Sequence, residues 1–181
     1  MVTREYVRMM AAYNRWMNDK LYAAAARLTS EQLAADRGAF FGSVLGTLNH
    51  LVVADLIWLN RFAALPSGAQ VLAALREAPM PSALDEMLFA DFARLRERRA
   101  WLDDVIESWS GALGDGDLDQ VLEYANTRGQ RFRKRLSGVV MHFFNHQTHH
   151  RGQVTTLLSQ AGIDVGETDL RALIPDEVAQ A

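Results

Sequence analysis

The fold of this chain is decided by the stretch Leu136-Ser-Gly-Val-Val-Met-His-Phe-Phe-Asn-His-Gln-Thr-His-His-Arg-Gly-Gln-Val-Thr-Thr-Leu-Leu-Ser-Gln-Ala161. Its apolar residues recur every three or four positions, which predicts a long amphipathic helix. Gly162 follows directly, and glycine readily takes the left-handed conformation that ends a helix. The apolar face runs through His146 and His150, so we expect these two side chains to point into the protein.

Three further segments have the same helical periodicity. They run from about Glu5 to Leu28, from Ser43 to about Phe62, and from a capping box at Ser82-Ala-Leu-Asp85 to near Gly111. The second segment is apolar nearly all round, which predicts burial on several sides. Together with residues 136–161, these segments predict an all-α four-helix bundle, a fold in which cofactor sites lie between facing helices.

The connections between these helices are rich in turn-forming residues. A loop is predicted after the second helix by Pro66, Gly68, Pro79 and Pro81. Within it we expect a short helical turn at Val71 to Arg76. The stretch from Gly111 to Arg135 predicts a loop or a small hairpin, and Thr168 to Ile174 predicts a short C-terminal helix. At 181 residues, 49% of them hydrophobic, residues 1–181 are expected to form a single domain with one core.

Composition excludes several classes of function. The chain has no cysteine, which rules out disulfides, a thiolate metal site and a cysteine nucleophile. Its formal net charge of -3 gives no general attraction to nucleic acid. No apolar run approaches the roughly 18 residues that a membrane span needs. We therefore expect a cytoplasmic protein that acts on a small molecule and has no nucleic-acid or membrane partner.

Histidine is concentrated in one helix. Four of the five histidines fall within nine residues: His142, His146, His149 and His150. Residues four apart on a helix have Cβ atoms about 5–6 Å apart, so His146 and His150 can bind one divalent ion. The alternative is that each histidine only hydrogen-bonds a neighbour. Two imidazoles on one buried face favour the metal, because an ion satisfies both at once.

A third ligand has to come from another helix, and His50 is the only histidine outside residues 142–150. Its neighbours one turn away, Gly46 and Ala54, are small and would leave room for a metal and a substrate. Asp55 lies about 140° round the helix from His50, so we expect a buried polar contact there rather than metal ligation.

Three separated motifs occur in a fixed order: Tyr13-Asn-Arg-Trp-Met-Asn18, Thr47-Leu-Asn-His-Leu-Val-Val-Ala-Asp-Leu-Ile-Trp-Leu-Asn-Arg61 and Asn145-His-Gln-Thr-His-His-Arg-Gly-Gln153. On these motifs the chain resembles the DinB-like (YfiT-like) metalloenzyme superfamily over nearly its whole length. The resemblance implies a four-helix bundle that binds zinc, nickel or a similar ion through His50, His146 and His150. It also implies a homodimer, and a link to enzymes that use mycothiol, bacillithiol or glutathione.

Three neutral imidazoles leave a divalent metal with an open coordination position, as in catalytic sites. The leading hypothesis is a metal-dependent transferase or isomerase that activates a low-molecular-weight thiol for attack on a small electrophile. One alternative is a metal-dependent hydrolase, although no carboxylate lies beside the ligands in sequence to act as a base. Another is a non-catalytic protein that binds a metal or a small ligand.

Other polar residues are candidates for supporting roles. Gln153 lies near the face of His146 and is expected to bond a ligand or a neighbouring helix. Asn14 and Asn18, four apart, are candidates for orienting a ligating imidazole, while His142 and His149 are candidates for the rim of the site. We expect Arg151 to meet a neighbouring helix or subunit.

The basic run from Arg128 to Arg135 has two interpretations, namely recognition of an anionic thiol or a solvated hairpin, and the second is favoured. Trp58 is interpreted as a packing residue.

Overall fold

The computed structural model describes residues 2–114 and 116–176, without the side chains of residues 76 and 77. The described chain is mainly helical. Its α-helices are α1 (Arg4–Ala25), α2 (Ser30–Ala34), α3 (Val44–Phe62), α4 (Pro66–Ala69), α5 (Phe92–Ala112) and α6 (Leu136–Gln160). Short 3-10 helices span Ala73–Glu77, Asp117–Asp119 and Leu170–Leu173, and strands β1 (Val121–Ala125) and β2 (Arg131–Arg135) form an antiparallel pair.

Three of the four long helices, α1, α3 and α5, begin at side chains that accept hydrogen bonds from free backbone amides. The Oγ of Ser43 accepts from the N–H of Gly46 at 2.9 Å, which confirms the predicted start of α3. Asp91 caps α5 in the same way, through the N–H of Arg94 at 2.8 Å. The predicted hairpin before α6 is confirmed, and its turn includes Gly129 with a φ of 77°.

Two predicted helix boundaries are wrong. The third long helix begins at Phe92 rather than near Ser82, because Ser82 donates to the carboxylate of Glu86 in a local turn and the loop after it is bound by α3. The first helix ends at Ala25 instead of Leu28, since a capping box between Thr29 and Gln32 starts the separate helix α2.

The four long helices pack in a closed cycle. Helix α1 contacts α5 and α6, and α3 contacts the same two helices. Each of them contributes fully buried apolar side chains to the core, among them Leu21, Leu48, Leu102 and Phe143. Helix α3 is buried on several sides, as its apolar sequence predicts. In the described part of the chain, no helix has both the length and the apolarity to cross a bilayer.

Candidate metal centre

Three histidines meet where α3 packs against α6. His50 comes from α3, while His146 and His150 lie one turn apart on α6. The Nε2 atoms of His50 and His146 are 3.2 Å apart, and one ring nitrogen from each of the three residues lies within 4.8 Å of the others. The structure therefore brings together the three side chains that the sequence marks as candidate ligands.

Two of the rings are held with a defined proton position. The Nδ1 of His50 donates to the backbone carbonyl of Leu84 at 2.8 Å. The Nδ1 of His150 donates to the amide oxygen of Gln153 at 2.7 Å. Because both partners are acceptors, the proton of each neutral ring lies on Nδ1, and its Nε2 carries a free lone pair.

This arrangement fits a divalent cation. Two nitrogens bound tetrahedrally to zinc at the usual bond length lie about 3.3 Å apart, close to the 3.2 Å between His50 and His146. At this distance the Nε2 of His146 interacts with the lone pair of His50 either through its own proton or through a shared cation. Among the described residues, the cluster contains no carboxylate, so a bound ion would keep its full charge and an open position.

All three imidazoles are neutral at physiological pH. Burial, helped by the neighbouring rings of His150 and His50, lowers the pKa of His146 to about 3. Burial is also the largest cause of the lowered pKa values of His50 and His150. Neutral imidazole is the form that binds metals, so the site is ready for a cation without losing protons.

Phe41 forms one wall of the centre. Its ring stacks on His50 with centroids 3.9 Å apart and meets the edge of His150 at 5.5 Å. The residue lies in the turn just before Ser43, outside every predicted helix, and no motif in the sequence marks it as part of a site. The pair Phe40-Phe41 ahead of a helix cap was the only available signal. The carbonyl of Leu84 was also missed, because a backbone acceptor leaves no mark in the sequence.

The remaining candidates on α6 surround the ligand cluster. Gln153 contacts His150 through its oxygen, and its nitrogen lies 3.3 Å from Nε2 of His149. His149 is exposed. The ring of His142 lies 5.9 Å from that of His146 and 5.2 Å from that of Trp58. Neither His142 nor His149 belongs to the group of converging nitrogens.

A buried polar network lies elsewhere between the four helices. Asp55 binds Arg99 and accepts from Gln147, which confirms the expected buried polar contact of this residue. Arg99 also pairs with Asp103 at 3.0 Å. All four side chains are at most 2% exposed.

Asn14 and Asn18 belong to this network instead of the metal centre. Both donate to the Oδ1 of Asp103, at 3.0 and 2.9 Å. Arg151 donates to Asn14, so it meets helix α1, one of the expected outcomes. No described hydrogen bond joins either asparagine to an imidazole. The expectation that they orient a metal ligand is therefore not met, because α5 supplies a buried carboxylate that takes both amides.

A helical protein in which three neutral histidines converge has the geometry of a metal-binding protein. Residues 1–177 match the DinB family, and the chain belongs to this family. It is 27% identical over 159 residues to Protein DinB of Bacillus subtilis (strain 168), in an alignment that covers 87% of each chain. No solved structure gives a significant match. The family resemblance drawn from the three motifs is thus confirmed.

Proposed function

We propose that this protein is a divalent-metal enzyme, using zinc or nickel, that employs a low-molecular-weight thiol in a transfer or isomerisation reaction on a small electrophile. The observation that carries the proposal is the convergence of His50, His146 and His150 with no carboxylate among the described ligands. Structural zinc sites use four protein ligands, whereas three leave a position for an exchangeable partner.

Each surrounding residue has a definite task in this proposal. A divalent ion, when bound, supplies a Lewis acid that lowers the pKa of an exchangeable thiol. Leu84 and Gln153 fix the orientation of His50 and His150 through their Nδ1 protons. Phe41 covers one face of His50 and excludes water from that side. The closed cycle of helices α1, α5, α3 and α6 supports a four-helix bundle as the rigid scaffold.

A metal-dependent hydrolase is the second candidate, and one observation favours it. The charge of Asp85 raises the pKa of His50, although burial has the larger and opposite effect. Asp85 also directly follows Leu84, whose carbonyl accepts from His50, so its carboxylate is the candidate general base for this reaction. The homodimeric state and the cytoplasmic setting stay predictions from the family resemblance and the composition.

Metal binding is tested by metal content after loading with Zn²⁺ or Ni²⁺. We expect His50→Ala, His146→Ala and His150→Ala each to lower the metal affinity by more than about 100-fold. Loss of a ligand should cost more than loss of the hydrogen-bond partner behind a ligand, which typically lowers affinity by about 10–100-fold. His149→Ala serves as the control on the same helix and is expected to retain most of the metal. Equal metal content in all four variants would refute the three-histidine assignment.

The reaction is tested with the metal-loaded protein, a chloronitrobenzene electrophile, and glutathione, mycothiol or bacillithiol. We expect turnover that requires both metal and thiol and that is absent in His146→Ala. Ester hydrolysis that needs metal but no thiol, and that Asp85→Asn abolishes, would contradict the transferase and establish the hydrolase. Failure of every thiol to bind the metal-loaded protein would also overturn the thiol hypothesis.

A further inference from the structure

A cavity of about 410 Å³ lies next to the candidate metal centre. Its lining residues come from α3, the hairpin and the first turns of α6: Trp58, Tyr124, Lys134, Arg135, Gly138, Val139 and His142. The ring of His142 is 5.9 Å from that of His146, so the cavity begins about one helical turn from the ligands. Its volume falls in the range that small-molecule sites occupy.

The cavity and the metal centre share one helix pair. On α3, His50, Ala54 and Trp58 are spaced by four residues, and on α6 the same spacing joins His150, His146 and His142. Residues four apart lie on one face of a helix, and α3 packs against α6. The small side chain of Ala54 falls, by this spacing, between the centre and the cavity. The same spacing places the centre and the cavity one after the other along the α3–α6 interface, so a ligand in the cavity would lie about one helical turn from His146.

The cavity is electropositive. Lys134 and Arg135 line it, and no Asp or Glu is among its lining residues. Besides burial, the charges of Lys134 and Arg61 lower the pKa of His142, so both cations act on the cavity. Arg135 is paired with Asp119 at 3.1 Å. Within the described chain, no ion pair engages Lys134, which lines the cavity, or Arg61, which lies over two of the lining rings without lining the cavity itself.

Aromatic rings form the rest of the wall. Trp58 and Tyr124 meet edge to face at 5.3 Å. The guanidinium of Arg61 lies over both rings, 4.4 and 4.7 Å from their centroids, and donates to the carbonyl of Ala125 at 3.0 Å. An aromatic surface beside fixed positive charge suits an anion with an apolar body. A solvated hairpin alone would not place this cation over two partly buried rings.

We propose that this cavity binds the carboxylate of a small organic acid and directs the acid's reactive end toward His146. The inference rests on the proposed function, because it names the substrate class of the same centre. The carboxylate can belong to the electrophile or to the thiol, and the experiment distinguishes the two. A separation of one to two helical turns predicts about 5–11 Å between the carboxylate and the reacting atom.

The test follows the indole N–H signal of Trp58 by NMR in the metal-free protein, so that no binding occurs through a metal. Trp58→Phe identifies this signal among those of the four tryptophans. The probes are 3-phenylpropionate, its neutral analogue 3-phenylpropanol, and glutathione. We expect the acid to shift the Trp58 signal and to bind about tenfold more tightly than the alcohol. A hydrogen bond to a charged group contributes about the binding free energy that this ratio requires.

Charge variants make the test specific. Lys134→Met is expected to weaken binding of the acid about tenfold and to leave the alcohol unchanged. Arg61→Met is expected to have a smaller effect of the same sign, because Arg61 lies over two lining rings without lining the cavity. Arg128→Met is the matched control, because it removes the same charge from the same hairpin but does not line the cavity. Lys134 is exposed, so its variant should fold normally even if Arg61→Met disturbs the packing of Trp58.

Each result has a distinct meaning. Binding of 3-phenylpropionate assigns the carboxylate to the electrophile, and binding of glutathione alone assigns it to the thiol. If neither shifts Trp58, or if Lys134→Met and Arg128→Met behave alike, the inference is overturned while metal binding by the histidines is untouched. If the histidine variants show no metal binding but the acid binding depends on Lys134, the proposed function fails and the carboxylate site stands.

Discussion

At the scale of a single residue, Gln153 supports the candidate metal centre by binding one of its histidines. Its amide oxygen accepts from Nδ1 of His150 at 2.7 Å, which fixes the proton position and the direction in which the opposite nitrogen points. The residue is one turn beyond His149 and contacts that ring as well. In the proposed metal centre Gln153 would therefore act through His150, as a positioning residue.

Gln153→Leu is expected to lower metal affinity by about 10–100-fold, the usual effect of removing a hydrogen-bond partner behind a ligand. Competition with a chromophoric chelator measures the affinity. Gln153→Glu should restore most of it, because a carboxylate accepts the same bond. The control is Gln160→Leu, an exposed glutamine on the same helix. If Gln153→Leu and Gln160→Leu bind metal equally, Gln153 has no positioning role.

At the scale of elements, the loop between α4 and α5 is tied to helix α3. The amide of Asn49 donates to the carbonyl of Phe89 at 3.0 Å, and its oxygen accepts from the N–H of Phe89 at 2.9 Å. The neighbouring His50 donates to the carbonyl of Leu84 in the same loop. Two successive side chains of α3 therefore hold the backbone of residues 84–89 beside the centre.

Asn49→Ala is expected to lower the free energy of unfolding by roughly 1–3 kcal/mol, because it leaves two partly buried backbone groups of Phe89 without their partner. Urea denaturation of the metal-free protein measures this loss, and limited proteolysis should show faster cleavage in residues 78–91. Asn60→Ala, on the same helix, is the control, since no described hydrogen bond involves that side chain. Equal stability of the two variants would show that the clamp contributes nothing.

The whole molecule is joined by the buried network between its four long helices. Asp55 from α3 and Asp103 from α5 form ion pairs with Arg99, and the charge of the nearby Arg151 also acts on both carboxylates. Burial raises the pKa of Asp55 to about 6, while Arg99 opposes this shift, so the carboxylate stays mostly ionised at neutral pH. Burial lowers the pKa of Arg99, but Asp103 and Asp55 outweigh it and the net shift is upward. The paired charges thus help to fix the relative positions of the helices that carry them.

Arg99→Met is expected to lower the free energy of unfolding by about 3–5 kcal/mol, because it leaves two buried carboxylates without their cation. Chemical denaturation at neutral pH measures the effect. The loss should shrink as the pH falls toward 5, because the pKa of Asp55 is already raised and its protonation removes an unpaired charge. Arg96→Met, at an exposed position of α5, is the matched control. Equal stability of Arg99→Met and Arg96→Met would show that the buried network does not stabilise the fold.

Local patterns in the sequence determined most of the secondary structure and the candidate ligands. The start of α3 at Ser43, the hairpin before α6 and the inward direction of His146 and His150 follow from helix periodicity, capping and turn chemistry. These features depend on residues within a few positions of one another, so the local sequence is enough to predict them.

Only the tertiary structure decided which distant groups share a site. Asn14 binds Asp103 across 89 positions of sequence, and the Leu84 carbonyl reaches His50 across 34. The late start of α5 at Phe92 has the same origin, since contacts with α3 hold the preceding loop out of a helix. Phe41 and the cavity beside Trp58 likewise exist only after α3, α6 and the hairpin have packed. Such contacts depend on the packing of whole elements, which local periodicity does not encode.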